Sequence, residues 1–168
     1  LPSPLDVQNV ALDVSKEEEE VPLAADDTAA LVALAFKLED TPYGQLTYIR
    51  TYQGSLNKGD TIYNVRTGKK IKVGRIVRMH ADKMEDVETI PAGFIGALFG
   101  IDCASGDTFS DPGMNLSMSS MYIPEPVITL AVKPADYKSE TSMSKALNRF
   151  TKEDPTFQTH FNPETGET

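Results

Sequence analysis

The sequence predicts a mainly β protein: an antiparallel β-barrel followed by a partial α+β segment of strand, helix and strand. Three observations carry this. Short runs rich in β-branched and aromatic residues follow one another from Ala29 to Ser110, separated by turns containing Gly or Pro. No amphipathic helix interrupts them. Beyond a Pro-, Met- and Ser-rich stretch over residues 111–126, the pattern changes to one strand, one helix and one strand.

The elements follow in order. Residues 1–27 hold two early prolines and an acidic run, and read as a connector. From Ala29, the residues Ala30, Val32, Leu34, Phe36 and Leu38 share one parity, while Leu31, Ala33 and Ala35 fill the other. A strand apolar on both faces is central. Thr41-Pro42-Tyr43-Gly44 is turn chemistry, and QLTYIRTYQGSL is a second strand. Gly54 and Gly59 bracket a turn before the strand DTIYNV. RTGKK is a hairpin tip, with Gly68 free to take a positive φ. KKIKVGRIVRMH reads as one strand, ETIPAGFIGALFGI as a turn and a strand, and SGDTFS as a short one.

After the linker, Val127 to Lys133 alternate as a clean strand. Met143, Ala146, Leu147 and Phe150 fall at helical spacing, and Asp154-Pro155 ends the helix. TFQTHF is a final strand. Two strands and one helix bury too little to stand alone, so this segment reads as half of a domain.

Composition bounds the function. The chain has 168 residues and a formal net charge of −9. It begins without Met and reads as a processed piece. One cysteine, Cys103, excludes an internal disulfide and a multi-cysteine zinc site. Two histidines disfavour a His-rich metal centre. The longest wholly apolar run, Ala29 to Phe36, is far short of a helical membrane span. The charge is uneven. Between Ile49 and Lys83, nine basic residues face only Asp60 and Asp82, an excess of seven positive charges that leaves −16 for the rest. Tyrosines and β-branched residues interleave them. This pattern fits strands that show a positive face to a phosphate backbone. It equally fits a barrel whose charged edge prevents aggregation.

Several motifs only imitate chemistry. Asn57-Lys58-Gly59-Asp60 matches the guanine-reading pattern of GTPases, and Gly68-Lys69 resembles the end of a phosphate loop. Lys70 stands where that loop needs Ser or Thr, and Tyr63 where it needs its first Gly. Glu85, Asp86 and Glu88 suit a turn better than an acid–base pair. Cys103 suits a packed thiol, and His80 a hydrogen-bonded residue. Met114, Met118 and Met121 suit gap filling in a loop. No catalytic residue and no metal site is assigned.

The string GSLNKGD, with Gly54, Leu56, Gly59 and Asp60, resembles the signature of the second-domain β-barrel of translational GTPases. Ala92-Gly93, Ala97-Leu98 and Gly106-Asp107-Thr108 resemble its later part. YIRTYQGSLNKGDTIYN, ALFGIDCASGDTF and KALNRFTKEDPTF closely resemble the elongation factor G family of ribosomal translocases. ALFGIDCASGDTF looks like the mitochondrial-type branch, which also occurs in some bacteria. LPSPLDV is similar to the end of the nucleotide-binding domain, and PEPVITLAVKP to the opening of the third domain. The resemblance spans nearly the whole chain and is weakest over residues 8–27 and 111–120. Phe94 departs from it, standing where the family usually has Asp.

The resemblance implies three parts. Residues 1–27 are the end of a nucleotide-binding domain and an acidic connector, 28–122 the translation-factor barrel, and 123–168 the first half of a ferredoxin-like third domain. It implies a parent GTPase that uses GTP and magnesium and moves tRNA and mRNA on the ribosome. This chain carries no phosphate loop, so it is expected to hold no cofactor and not to hydrolyse GTP. Implied partners are small-subunit rRNA and the parent's nucleotide-binding domain, with no membrane or DNA partner. The implied compartment is the bacterial cytoplasm or the mitochondrial matrix. Arg66, Lys69, Lys70, Lys72 and Arg75 are the expected RNA contacts. Strand parity puts Lys72 and Arg78 on one face and Arg75 on the other. Alternatives are the barrel of a release or ribosomal protection factor, a protein–protein interaction barrel, and a hydrolase built on Glu85, Asp86 or Cys103.

Overall fold

The computed structural model describes residues 1–118 and 125–168. The chain divides into two compact units, Leu1–Ser120 and Met121–Thr168. The boundary expected at residues 122–123 lies outside the described residues, as does Met121.

The first unit is built on an eight-stranded antiparallel sheet. Its strands are β3 (Val32–Thr41), β4 (Gly44–Gln53), β6 (Thr61–Asn64), β7 (Lys70–Lys72), β8 (Ile76–His80), β9 (Lys83–Val87), β11 (Ile95–Phe99) and β12 (Thr108–Ser110). They run in the order β7-β6-β12-β3-β4-β11-β8-β9. A short pair, β5 (Leu56–Asn57) and β10 (Thr89–Ile90), accompanies it. The doubly apolar run forms β3, placed centrally between β12 and β4 as its pattern requires. Thr41 pairs with Gly44, so Pro42 and Tyr43 form the two-residue loop of the β3–β4 hairpin.

The sheet is curled. Ile62 of β6 and Ile76 of β8 sit near opposite ends of the strand order, yet both enter one core. Leu31, Ile49, Leu56, Val73, Ile90, Leu98, Cys103 and Phe109 are among the residues that join them in that core. The inward and outward alternation of each strand supplies it. Leu56, a signature residue, is buried there, and Gly54 lies against the backbone of Ala29 and Leu31.

Several sequence expectations change, and QLTYIRTYQGSL, read as one strand, divides into β4 and β5. Residues 9–23 form an antiparallel hairpin, β1 (Asn9–Asp13) and β2 (Glu19–Leu23), and β1 also pairs with β13 (Leu116–Ser117). Ala11, Leu23, Val32 and Met118 bury a second small core beneath this sheet. Of β1 and β2, only Ala11 and Leu23 are buried there, so the acidic run masks them. Glu17 and Glu18 take positive φ in the connecting turn, and Glu19 and Glu20 belong to β2. KKIKVGRIVRMH is also not one strand. The chain leaves β6 after Lys72 and joins β11 from Ile76 as β8. Between them, Val73 donates its N–H to Asp60 and accepts from Gly59, which ties the crossing to the loop between β5 and β6.

The second unit holds α1 (Glu140–Glu153), entered through a 3₁₀ turn at Tyr137–Ser139. The Asp136 carboxylate accepts from the Ser139 N–H and hydroxyl and starts the helix, while the Asp154 N–H donates to Phe150 O at its end. Phe150 meets Phe157 edge-on, with ring centroids 5.8 Å apart. Residues 127–133, read as a strand from their alternation, and 156–161, also read as a strand, carry no ladder here. Alternation creates a strand only where a neighbour takes its N–H and C=O groups. Here, Val132 N–H donates to Thr168 O, and Lys133 pairs with Glu167 at 2.7 Å. Among the described residues, no helix is long and apolar enough to cross a membrane.

Candidate nucleic-acid interface

The β6–β7 hairpin lies at one edge of the large sheet. Tyr63 pairs with Lys70 and Thr61 with Lys72, while Ile62 opposite Ile71 turns toward the core. Directly opposed residues share a face, so Lys70 and Lys72 stand outward beside Tyr63 and Thr61. Both lysines are exposed. The tip, residues 65–69, adds Arg66 and Lys69, and Gly68 takes φ +68° where it turns back.

Backbone and carboxylate bonds fix this tip. The Asn64 N–H donates to Lys69 O, its carbonyl accepts from the Gly68 N–H, and its side-chain oxygen accepts from the Thr67 N–H. Asn64 Nδ2 in turn donates to Asp107 Oδ2 at 2.7 Å. Arg66 donates Nε–H to Asp107 Oδ1 at 2.5 Å and Nη2–H to Oδ2 at 3.0 Å. The Ala104 N–H also donates to Oδ2, at 2.9 Å. Asp107 is 2% exposed. Burial pushes its carboxyl up, but the Arg66, Ala104 and Asn64 donors outweigh that and hold it below the usual carboxylate range. Lys69 adds a looser pair with Asp102 at 3.8 Å.

The structure thus brings Arg66, Lys69, Lys70 and Lys72 onto one hairpin. Arg75 is not among them. It belongs to the β8–β9 side, where Asp86 accepts from its Nε at 2.6 Å and its Nη2 at 3.1 Å, and its guanidinium lies 5.2 Å from the Phe99 ring centroid. Asp86 thus holds Arg75 as Asp107 holds Arg66, but on a different hairpin. Arg78 pairs across the strands with Glu85, which also meets His80 at 3.3 Å. The β8–β9 hairpin therefore carries its own acids, whereas residues 61–72 hold none and, among the described residues, only Arg66 and Lys69 of that stretch meet acids from elsewhere, Asp107 and Asp102.

The nucleotide-like motifs do not fit GTP. Asp60 Oδ2 accepts from both the Asn57 N–H and Nδ2, at 3.0 Å each, so its carboxylate closes its own turn. Gly68-Lys69-Lys70 ends a β-hairpin and does not open a helix. The hydrolase residues also do not meet. Cys103 is buried in the core beside Thr47, whereas Glu85 and Asp86 lie on the exposed strand β9. Gly59, Gly93 and Gly106 all occupy turns with positive φ.

Sequence reasoning missed the part played by Asn64, Asp102 and Asp107 in this hairpin. Gly106-Asp107-Thr108 was legible as a motif. Its partner Arg66 lies 41 residues away, and no local pattern joins the two.

Comparison with known proteins now places the chain. The family model Elongation factor Tu domain 2 matches residues 44–110, and Elongation Factor G, domain III matches 123–168. Over all 168 residues, the chain is 64% identical to Elongation factor G 1 of Syntrophus aciditrophicus. The chain belongs to the elongation factor G family. It is also 60% identical over its whole length to Elongation factor G 1 of Desulfotalea psychrophila, and 55% to that of Treponema pallidum. It spans 24% of the length of each of these relatives. A crystal structure of a Thermus thermophilus protein shares the fold, with a TM-score of 0.69 and 23% identity over 83% of this chain and 21% of that one. The antiparallel β fold of the first unit and helix α1 of the second agree with the matches to domain 2 and domain III.

Proposed function

We propose that this chain is the ribosome-binding module of an elongation factor G-like GTPase that promotes movement of tRNA and mRNA. The β6–β7 hairpin contacts small-subunit rRNA through phosphates. The observation that carries this is the grouping of Arg66, Lys69, Lys70 and Lys72 on one exposed hairpin edge beside Tyr63. Such contacts position a protein on RNA without reading its sequence. The identity to elongation factor G proteins over the whole chain favours a translocase over a release or ribosomal protection factor. GTP and magnesium belong to the parent's nucleotide-binding domain, on which the barrel packs. The bacterial relatives favour the bacterial cytoplasm over the mitochondrial matrix.

Binding of the chain to purified small ribosomal subunits tests this. Affinity should fall steeply with salt, with a log–log slope of about −3 for four phosphate contacts. Lys69→Glu/Lys70→Glu should weaken binding at least tenfold at about 0.1 M salt. Salt-insensitive binding, or unchanged binding by that variant, overturns the reading. A protein–protein barrel would instead bind a purified nucleotide-binding domain in competition with RNA.

A further inference from the structure

We propose that Asp107 is the positioning residue of the basic hairpin, holding the Arg66 guanidinium as a pre-set fork for a phosphate; this rests on the function proposed above. An arginine has five N–H donors. Asp107 takes two of them, on Nε and Nη2. Three remain, both on Nη1 and one on Nη2. The Arg66 side chain is 60% exposed, so they are open to a ligand.

The carboxylate cancels the net charge of the arginine but leaves three of its donors. Its single charge is shared among four donors, from Arg66 twice, Asn64 once and the Ala104 backbone once. What Arg66 keeps for an outside anion is therefore its three remaining N–H donors, aimed in a fixed direction. The same carboxylate sets the turn. Through Asn64 it fixes Thr67, Gly68 and Lys69, and hence where Lys69 and Lys70 stand. A long side chain ordered before binding loses less freedom on binding. A planar fork meets two phosphate oxygens at once, which a lysine cannot do.

The test uses the 168-residue chain with purified small ribosomal subunits, and a far-UV spectrum and urea midpoint for each variant. Arg66→Lys keeps the charge and removes the fork. It should bind about fivefold more weakly. Asp107→Asn keeps the shape and frees the guanidinium, and it should weaken binding by a similar factor. The double variant should bind no worse than the weaker single variant, because both remove one device. Wild-type affinity in Arg66→Lys overturns the proposal, as does a folded Asp107→Asn that loses stability but not affinity. If Asp107→Asn fails to fold, Arg66→Lys decides alone. Lys69→Glu/Lys70→Glu separates the two levels. Should it bind normally, the RNA-binding function itself falls. Should it bind weakly while Arg66→Lys and Asp107→Asn bind normally, only the positioning role falls.

Discussion

Asp107 holds Arg66 by two hydrogen bonds, at 2.5 and 3.0 Å, from a carboxylate that is itself 2% exposed. The pair joins the start of β12 to the tip of the β6–β7 hairpin, 41 residues apart in sequence. A buried acid thus anchors an exposed base, and stability and surface chemistry meet in one contact.

The first consequence concerns acid. The folded chain holds the Asp107 carboxyl below its usual range, so it binds that proton more weakly than the unfolded chain does. The stabilisation is complete above the unfolded value, about 3.9, and is lost as pH falls through the lower folded value. Asp107→Asn should cost about 2–3 kcal/mol at neutral pH. Urea unfolding across pH should show its gap from wild type narrowing below about pH 4. A gap that stays constant into strong acid would contradict the assignment.

Gly54 and Gly59 separate backbone strain from crowding. Both have positive φ, +73° and +90°. A Cβ on Gly54 would lie 2.7 Å from Ala29 O and 2.8 Å from Leu31 Cα, whereas nothing lies within 4 Å of one on Gly59. Gly59→Ala should cost about 1–2 kcal/mol from conformation alone. Gly54→Ala should cost clearly more, about 3 kcal/mol or above, because main chain cannot step aside. Equal losses in urea unfolding would show that the close approach is not rigid.

Phe109 is fully buried at the centre of the first unit. Phe109→Ala should destabilise that unit by about 3–5 kcal/mol. Leu130, 78% exposed in the second unit, gives the control, and Leu130→Ala should stay within about 0.5 kcal/mol. Thermal or urea unfolding checks both.

Arg75 should matter little for RNA. It lies on a hairpin that also carries Asp82, Glu85 and Asp86, so Arg75→Gln should leave small-subunit affinity within about twofold, while Lys70→Gln weakens it more. A larger loss from Arg75→Gln would place the interface on the β8–β9 side.

The legible part of this fold is the part with a local cause. The doubly apolar run from Ala29 to Leu38 announces the central strand, and Pro42-Tyr43 with Gly44 announces its hairpin. Gly68 and the residues around it announce the basic tip. What escaped depends on distant partners. β1 and β2 are strands because β13 and Val32 meet them, and the acidic residues of their turn hide the few apolar ones. Lys72 and Ile76 look continuous, yet Val73 is held by the loop at Gly59 and Asp60, and the chain changes neighbours there. The alternation of Val127 to Lys133 is real but finds no ladder. At the site, the lysines were visible as charge, whereas the Asp107 contact that orders them required the fold.

Cleavage of RNA from a tethered probe tests the central claim most directly. Thr67 lies in the β6–β7 tip and Asp82 in the β8–β9 tip, and each is exposed. In a Cys103→Ser background, Thr67→Cys and Asp82→Cys would each carry an iron–EDTA group on the chain bound to small subunits. Hydroxyl radicals should cut small-subunit rRNA at a defined place from position 67 and not from position 82. Cuts from position 82 alone, or none from either with binding intact, would contradict an RNA interface on the basic hairpin.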